Sequence, residues 1–348
     1  MTSMYPQVHA FANLYRAFRK ARRGKRDRPE VAAFEFDLEE NLLQLRQELA
    51  TRTYRPGPYR SFYVRDSKRR LISAAPFRDR VVHHALVNVI EPLFEARFIG
   101  DSYANRVGKG THRALDRCQG FARRYRYVLQ CDVRQFFPSV DHAILRVQLA
   151  RVIGDEDVMW LVDQILAGGA GILAGEYEMA WFPGDDLLAA TRPRGLPIGN
   201  LTSQFWANVY LNDLDQFVKR TLRCRAYLRF VDDSLLFADD KPALHAWRRA
   251  IIERLAGVRL TLHESRAQVY PVAEGIPFLG FRVFPDHRRL KSRRGHAARR
   301  RLQALARQCA AGQLSQARLT AAVQGWVSHA AHGDTWGLCR SLLSTIAV

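Results

Sequence analysis

Tyr227-Leu-Arg-Phe-Val-Asp-Asp-Ser-Leu-Leu-Phe-Ala238 sets two adjacent carboxylates, Asp232 and Asp233, between two apolar runs. The flanks read as short strands, which predicts a β-hairpin with both acids in its connection. Neighbouring carboxylates repel unless a cation binds between them or one is protonated, so the stretch is either a solvated turn or part of a Mg²⁺ site. The rest of the chain has to discriminate between the two.

The totals narrow the choice. Against 34 Asp and Glu stand 54 Lys and Arg, a net charge of +20 that makes a polyanionic partner the leading expectation. A chain of 348 residues, 47% of them apolar, can bury a full core and divide into domains. No apolar run approaches the roughly 20 residues of a spanning helix. No signal peptide opens the chain, so nucleic acid is favoured over membrane and a cytoplasmic location is expected. Cys118, Cys131, Cys224, Cys309 and Cys339 lie far apart without C-x-x-C spacing, which predicts reduced core thiols.

Taken in order, residues 9–21 show helical spacing at Phe11, Leu14, Tyr15 and Phe18. The run Arg22 to Arg28 is a solvated loop or an RNA-backbone contact, and a second helix from Phe36 to Leu49 stops at Tyr54-Arg-Pro-Gly-Pro58. Strand-like alternation over 59–64 leads into Lys68, Arg69 and Arg70, a surface turn or a clamp for a triphosphate. The glycine-rich loop from Phe98 to Ala114, with Arg106 and Lys109, lets backbone approach phosphate but lacks the Walker spacing. Asp132 ends a strand over Tyr127 to Val133, where a solvated turn residue would not lie, and Ser139 or Asp141 caps the next helix.

Residues 168–192 read as an irregular surface loop. A tight turn at Gly195 and Gly199 feeds a helix through Val209 to Val218, then the hairpin, a helix near 246–255 and a strand pair from Ile276 to Val283. From Arg288 the chain turns basic, with Arg293, Arg294, Arg299, Arg300 and Arg301 ahead of helices near 297–309 and 315–331. That composition predicts a small helical domain facing nucleic-acid backbone. Trp326, His329, His332 and Trp336 are assigned to core packing.

The order of these pieces resembles a reverse transcriptase from about residue 59 to the tail. Asp132-Val-Arg-Gln-Phe-Phe137 is similar to the palm motif with the first metal-binding aspartate, and Phe230-Val-Asp-Asp233 to the Tyr-x-Asp-Asp box. Arg69 to Ala85, Phe98 to Ala114, Leu260 to Arg266 and Ile276 to Val283 resemble the remaining blocks. The block Ile198-Gly-Asn-Leu-Thr-Ser-Gln204 resembles the enzymes of diversity-generating retroelements. Phe230 departs from the usual Tyr and Arg266 from the usual Lys, and neither change removes a metal ligand.

The resemblance implies an α+β right-hand polymerase: a helical extension over 1–58, fingers and palm with an antiparallel sheet over 59–287, and a basic helical thumb over 288–348. It implies an RNA-directed DNA polymerase, a nucleotidyltransferase using two Mg²⁺ ions about 4 Å apart. Asp132, Asp232 and Asp233 are its catalytic carboxylates, and with the Val133 carbonyl its metal ligands. Lys68, Arg69, Arg70, Phe137, Ile198, Gly199, Gln204 and Arg266 would line the nucleotide, with Phe137 excluding a 2′-hydroxyl and Arg266 neutralising charge. Arg106, Lys109 and the five tail arginines would contact nucleic acid. Expected partners are template RNA, a cDNA or DNA primer, dNTPs and a small basic accessory protein, with mutagenic retrohoming as the output. The alternatives are another bacterial reverse transcriptase, of retron or phage-defence type, and a non-catalytic RNA-binding protein.

Overall fold

Four helices open the chain: α1 (Tyr5–Val8), α2 (Phe11–Ala21), α3 (Pro29–Phe36) and α4 (Leu38–Ala50). The computed structural model describes residues 3–65 and 69–344. The helix expected from Phe36 to Leu49 corresponds to α4, and it is separated from α3, which ends at Phe36, because Asp37 leaves the helical region between them. Pro29 sits in the first turn of α3, where its missing N–H is no loss. Leu14, Phe18, Leu42 and Leu45 are buried in one continuous core with Phe77, Val81 and Leu86 of α5 (Phe77–Glu95). The extension therefore shares its core with the region that follows. Asn13 Nδ2 sews the two together, donating to the Ala85 carbonyl at 3.0 Å.

Before α5, β1 (Arg60–Arg65) and β2 (Arg69–Ala74) form an antiparallel hairpin. After it come α6 (Thr111–Ala122), β3 (Tyr127–Asp132), the single turn α7 (Phe136–Ser139), α8 (His142–Ile153) and α9 (Glu156–Gly169). Asp141 is the cap of α8, its Oδ1 accepting from the Ala143 and Ile144 N–H groups at 2.9 and 3.1 Å. Next are α10 (Leu201–Gln216), β4 (Tyr227–Phe230), β5 (Asp233–Ala238), α11 (Lys241–Ala256) and β6 (Val269–Pro271). Then β7 (Ile276–Phe278), β8 (Phe281–Val283) and β9 (Arg288–Leu290) precede α12 (Ser292–Ala310), α13 (Gln316–Ala330) and α14 (Trp336–Ser344). Because β9 pairs with β8, Val283 opposite Arg288, the small sheet runs past the boundary expected at residue 287 and the helical tail starts at α12.

The order β4-β5-β3-β6 makes one antiparallel sheet. Strand alternation sends Leu129, Cys131, Tyr227 and Leu236 into the core shared with α5, α8 and α10. It sends Val128, Leu228, Leu235 and Phe237 into a second core with Leu115 and Phe121 of α6 and Phe278 and Phe281 of the small sheet. Burial on both faces is the physical reason that 227–238 reads as two apolar runs. An antiparallel sheet flanked by helices, with a helical tail, is the expected α+β polymerase architecture.

No helix among the described residues is long and apolar enough to cross a membrane. All five cysteines are free, and only Cys309 is not fully buried. Trp336 overturns its packing assignment: it is 80% exposed, because α14 buries Cys339 and Leu342 instead. His332 does pack, stacking on His112 with ring centroids 3.4 Å apart.

Candidate active site

The β3–β5 ladder ends on the pair Asp132↔Asp233, and β4 closes onto β5 with Phe230↔Asp233, leaving Val231-Asp232 as a two-residue turn. The expected hairpin is present, shifted so that Asp233 opens β5 and only Asp232 lies in the connection. Directly opposed residues of an antiparallel pair hold their Cβ atoms about 4.5–5.5 Å apart on one face. Asp132 and Asp233 thus share the end of the sheet, on the side of the second core, with Asp232 beside them. All three are only partly buried and open to solvent.

Val133 bridges to Leu262, but the hydrogen bonds are made by its neighbours: Arg134 N–H to the Thr261 carbonyl and His263 N–H to the Asp132 carbonyl, both at 2.7 Å. The amide groups of Val133 itself therefore point away from that segment, toward the side on which β5 carries Asp233. Three carboxylates and a carbonyl are hard oxygen donors, the set Mg²⁺ takes. Strand alternation turns the soft donor Cys131 to the opposite, buried face. Among the described residues no three His, Cys, Asp or Glu side chains gather tightly enough to grip an ion on their own. At Asp132 a cation is already supplied: Arg266 Nη1 donates to Oδ2 at 2.9 Å. The donor chemistry fits a divalent ion.

Beneath the hairpin lies a network the sequence reading missed. Arg229 and Asp215 are buried to 1% and 0% side-chain exposure and pair through two hydrogen bonds, Nε to Oδ1 at 2.8 Å and Nη2 to Oδ2 at 2.7 Å. Tyr227 donates its hydroxyl to the same Oδ1 at 2.7 Å. Arg229 Nη1 donates to Asn208 Oδ1 at 3.2 Å and to the Val231 carbonyl at 2.8 Å, at the hairpin tip. Burial opposes the guanidinium charge, but the Asp215 carboxylate outweighs it and keeps the Arg229 pKa above its usual value. Asn208 and Asp215 are seven residues apart on α10 and so share one of its faces. The available signal was Arg229 itself, a cation inside an apolar strand run that has to find a partner.

Two of the segments expected beside the nucleotide, the end of β2 and the turn at Phe137, are hydrogen-bonded to the Gly195–Asn200 turn. The Ile198 carbonyl accepts from the Ser73 N–H of β2 at 2.8 Å. Asn200, also unforeseen, clasps β2 with its side chain, Oδ1 accepting from Ala75 N–H at 3.0 Å and Nδ2 donating to the Ser73 carbonyl at 2.8 Å. Gly199 has φ +117°, and a Cβ there would stand 3.0 Å from Ile72, so glycine is required. The Phe137 carbonyl accepts from Leu196 N–H at 2.8 Å, which brings its half-buried ring to the same turn. Gln204 is exposed on the first turn of α10, and Arg69 and Arg70 are exposed at the start of β2, with Arg69 3.6 Å over the Tyr63 ring. Lys68 lies outside the described residues.

Of the cations expected on nucleic acid, Arg106 is corrected. Its side chain is 6% exposed, bound bidentately to Glu95 and donating to the Ile99 and Ser102 carbonyls at 2.7 and 3.0 Å. It shapes the glycine-rich loop from inside and presents no free charge. Lys109 Nζ donates to the Gly100 carbonyl at 2.6 Å, and burial followed by the Arg106 charge lowers its pKa. Arg293, Arg294, Arg299, Arg300 and Arg301 are all exposed on α12, with the Arg294 guanidinium packed over Gly280 in the β7–β8 turn.

Paired carboxylates at the end of an antiparallel palm-like sheet, in a chain that also exposes arginines on β2 and along α12, define a nucleotidyltransferase of the polymerase type. The model of the reverse transcriptase (RNA-dependent DNA polymerase) family matches residues 63–283, and the chain belongs to that family. Among curated relatives, protein YkfC of Escherichia coli is 27% identical over 281 residues, 69% of this chain and 70% of the relative. The group II intron-encoded protein LtrA of Lactococcus lactis is 27% identical over 184 residues, 52% of this chain but 28% of LtrA. The solved telomerase of Candida tropicalis aligns over 70% of this chain and 59% of its own at 10% identity, with a TM-score of 0.46.

Proposed function

We propose that this reverse transcriptase copies a template RNA into error-prone cDNA, mutagenised at adenines, within a diversity-generating retroelement. The observation that carries the subtype is the Ile198 turn. It is tied to β2 through main-chain and Asn200 bonds, so its half-buried side chain keeps a fixed place, and that side chain offers contact area without a hydrogen bond. A nucleotide pocket with one polar constraint fewer discriminates base pairs less well. Mg²⁺ held by Asp132, Asp232, Asp233 and the Val133 carbonyl would neutralise the phosphates and ease deprotonation of the primer 3′-hydroxyl. Arg69, Arg70 and Arg266 balance the triphosphate charge, Phe137 sets the volume allowed to the sugar, and the α12 arginines hold the duplex backbone.

Sequencing the cDNA made with a cognate RNA and a small basic accessory protein tests this reading. Errors concentrated opposite template adenines are expected, and Ile198→Gln should lower them. Errors spread evenly over the four bases contradict it and favour the second reading, another bacterial reverse transcriptase needing no accessory protein, to which the likeness to YkfC and LtrA points.

A further inference from the structure

We propose that Arg229 is a positioning residue for the metal-binding hairpin: clamped by Asp215 and Asn208 of α10, it holds the Val231 carbonyl and thereby sets where Asp232 and Asp233 stand. The inference rests on the reading of Asp132, Asp232 and Asp233 as metal ligands.

Val231 adopts φ +57°, a conformation costly for a β-branched residue that persists only where its surroundings impose it. The hydrogen bond that holds it on the inner side is Arg229 Nη1 to the Val231 carbonyl, 2.8 Å long and partly shielded from solvent. Three of the guanidinium's other hydrogen bonds go to groups of α10, so the strained turn is referenced to a 16-residue helix rather than to its own two strands. The outer edge is fixed as well. Arg229 N–H donates to the Asp101 carbonyl and Tyr103 N–H to the Arg229 carbonyl, both at 3.0 Å, so neither the strand nor its side chain can slide.

Charge makes the same case. A buried ion pair seldom adds net stability over apolar packing, so stability alone is a poor reason for this one. Bidentate pairing with Asp215 cancels the guanidinium charge locally. Arg229 can thus brace the tip one residue from Asp232 without setting a bare cation where a metal would bind.

The test compares wild type with Arg229→Lys, which keeps the charge but cannot reach Asp215 and Val231 together, and with the double variant Arg229→Met/Asp215→Leu, which leaves no unpaired buried charge. Asn208→Ala serves as a milder variant that loses a single bond to the guanidinium. Two quantities are read on folded full-length protein: Mn²⁺ affinity from an EPR titration, and Mg²⁺-dependent extension of a DNA primer on RNA. Removing a group that orients metal ligands typically lowers metal affinity by about 10- to 100-fold. That loss is expected in the first two variants and a smaller one in Asn208→Ala, with RNA binding unchanged. Wild-type Mn²⁺ affinity and extension in every variant that folds overturns the inference. Asp232→Ala separates the two claims. If it loses neither bound Mn²⁺ nor activity, the metal-site reading fails and the inference with it. If it loses both while the Arg229 variants lose neither, only the positioning role fails.

Discussion

Asp132 and Asp233 face each other as the last pair of the β3–β5 ladder, and the Arg266 guanidinium is hydrogen-bonded to one oxygen of Asp132 at 2.9 Å. The sheet register alone therefore brings together two acids 101 positions apart in the chain, and a cation from a third segment offsets part of their charge.

That ion pair is half-exposed at Arg266, and such pairs contribute about 0–1 kcal/mol to stability. Arg266→Ala should leave thermal unfolding almost unchanged. A charge-assisted hydrogen bond to a bound triphosphate is worth about 1.5–3 kcal/mol, so KM for dNTP should rise roughly ten- to a hundredfold. Arg266→Lys, which keeps the positive charge, should retain most of the affinity. Steady-state kinetics on the three proteins checks each point.

Acid stability follows from His83. Burial, then the charges of His84 and Arg80, push its imidazole down to about 3. Below pH of about 6.5 the unfolded chain takes up a proton at this position and the folded chain does not, so stability falls as pH drops from about 6.5 toward 3. The limiting slope is about 1.4 kcal/mol per pH unit for one such group. His83→Gln should flatten the fall of Tm over that window, and an unchanged slope would assign the acid sensitivity elsewhere.

What the sequence made legible was whatever a local pattern encodes. Asp132 at a strand end, Asp232 and Asp233 at a hairpin and the basic α12 all follow from apolar periodicity and charge. Asp37 was missed as a helix break because nothing in Phe34-Glu-Phe-Asp-Leu38 departs from helical composition. Arg106 was misassigned because exposure is a tertiary property: its loop folds back on Glu95 and uses the charge internally. Asp215 and Asn200 were invisible as site residues because their partners lie on other elements, brought near only by packing, and Arg229, conspicuous in its apolar run, did not disclose which partner it would find.

Along α12, Arg299, Arg300 and Arg301 are exposed. If they contact backbone phosphates, replacing all three with Ala should reduce the slope of log K against log salt by about 2 to 3, at roughly 0.7–0.9 per phosphate contact. An unchanged slope would remove this stretch from the nucleic-acid face.

The central claim is that Asp132, Asp232 and Asp233 form one metal-dependent polymerase centre. Its most direct test is Mg²⁺-dependent incorporation of dNTP on a primed RNA by wild type, Asp132→Asn and Asp232→Ala, with folding and RNA binding verified for each. Both variants should fall by on the order of a thousandfold or to background, as expected when a preorganised charge stabiliser is removed from a reacting centre. Rates equal to wild type in either variant would contradict the assignment.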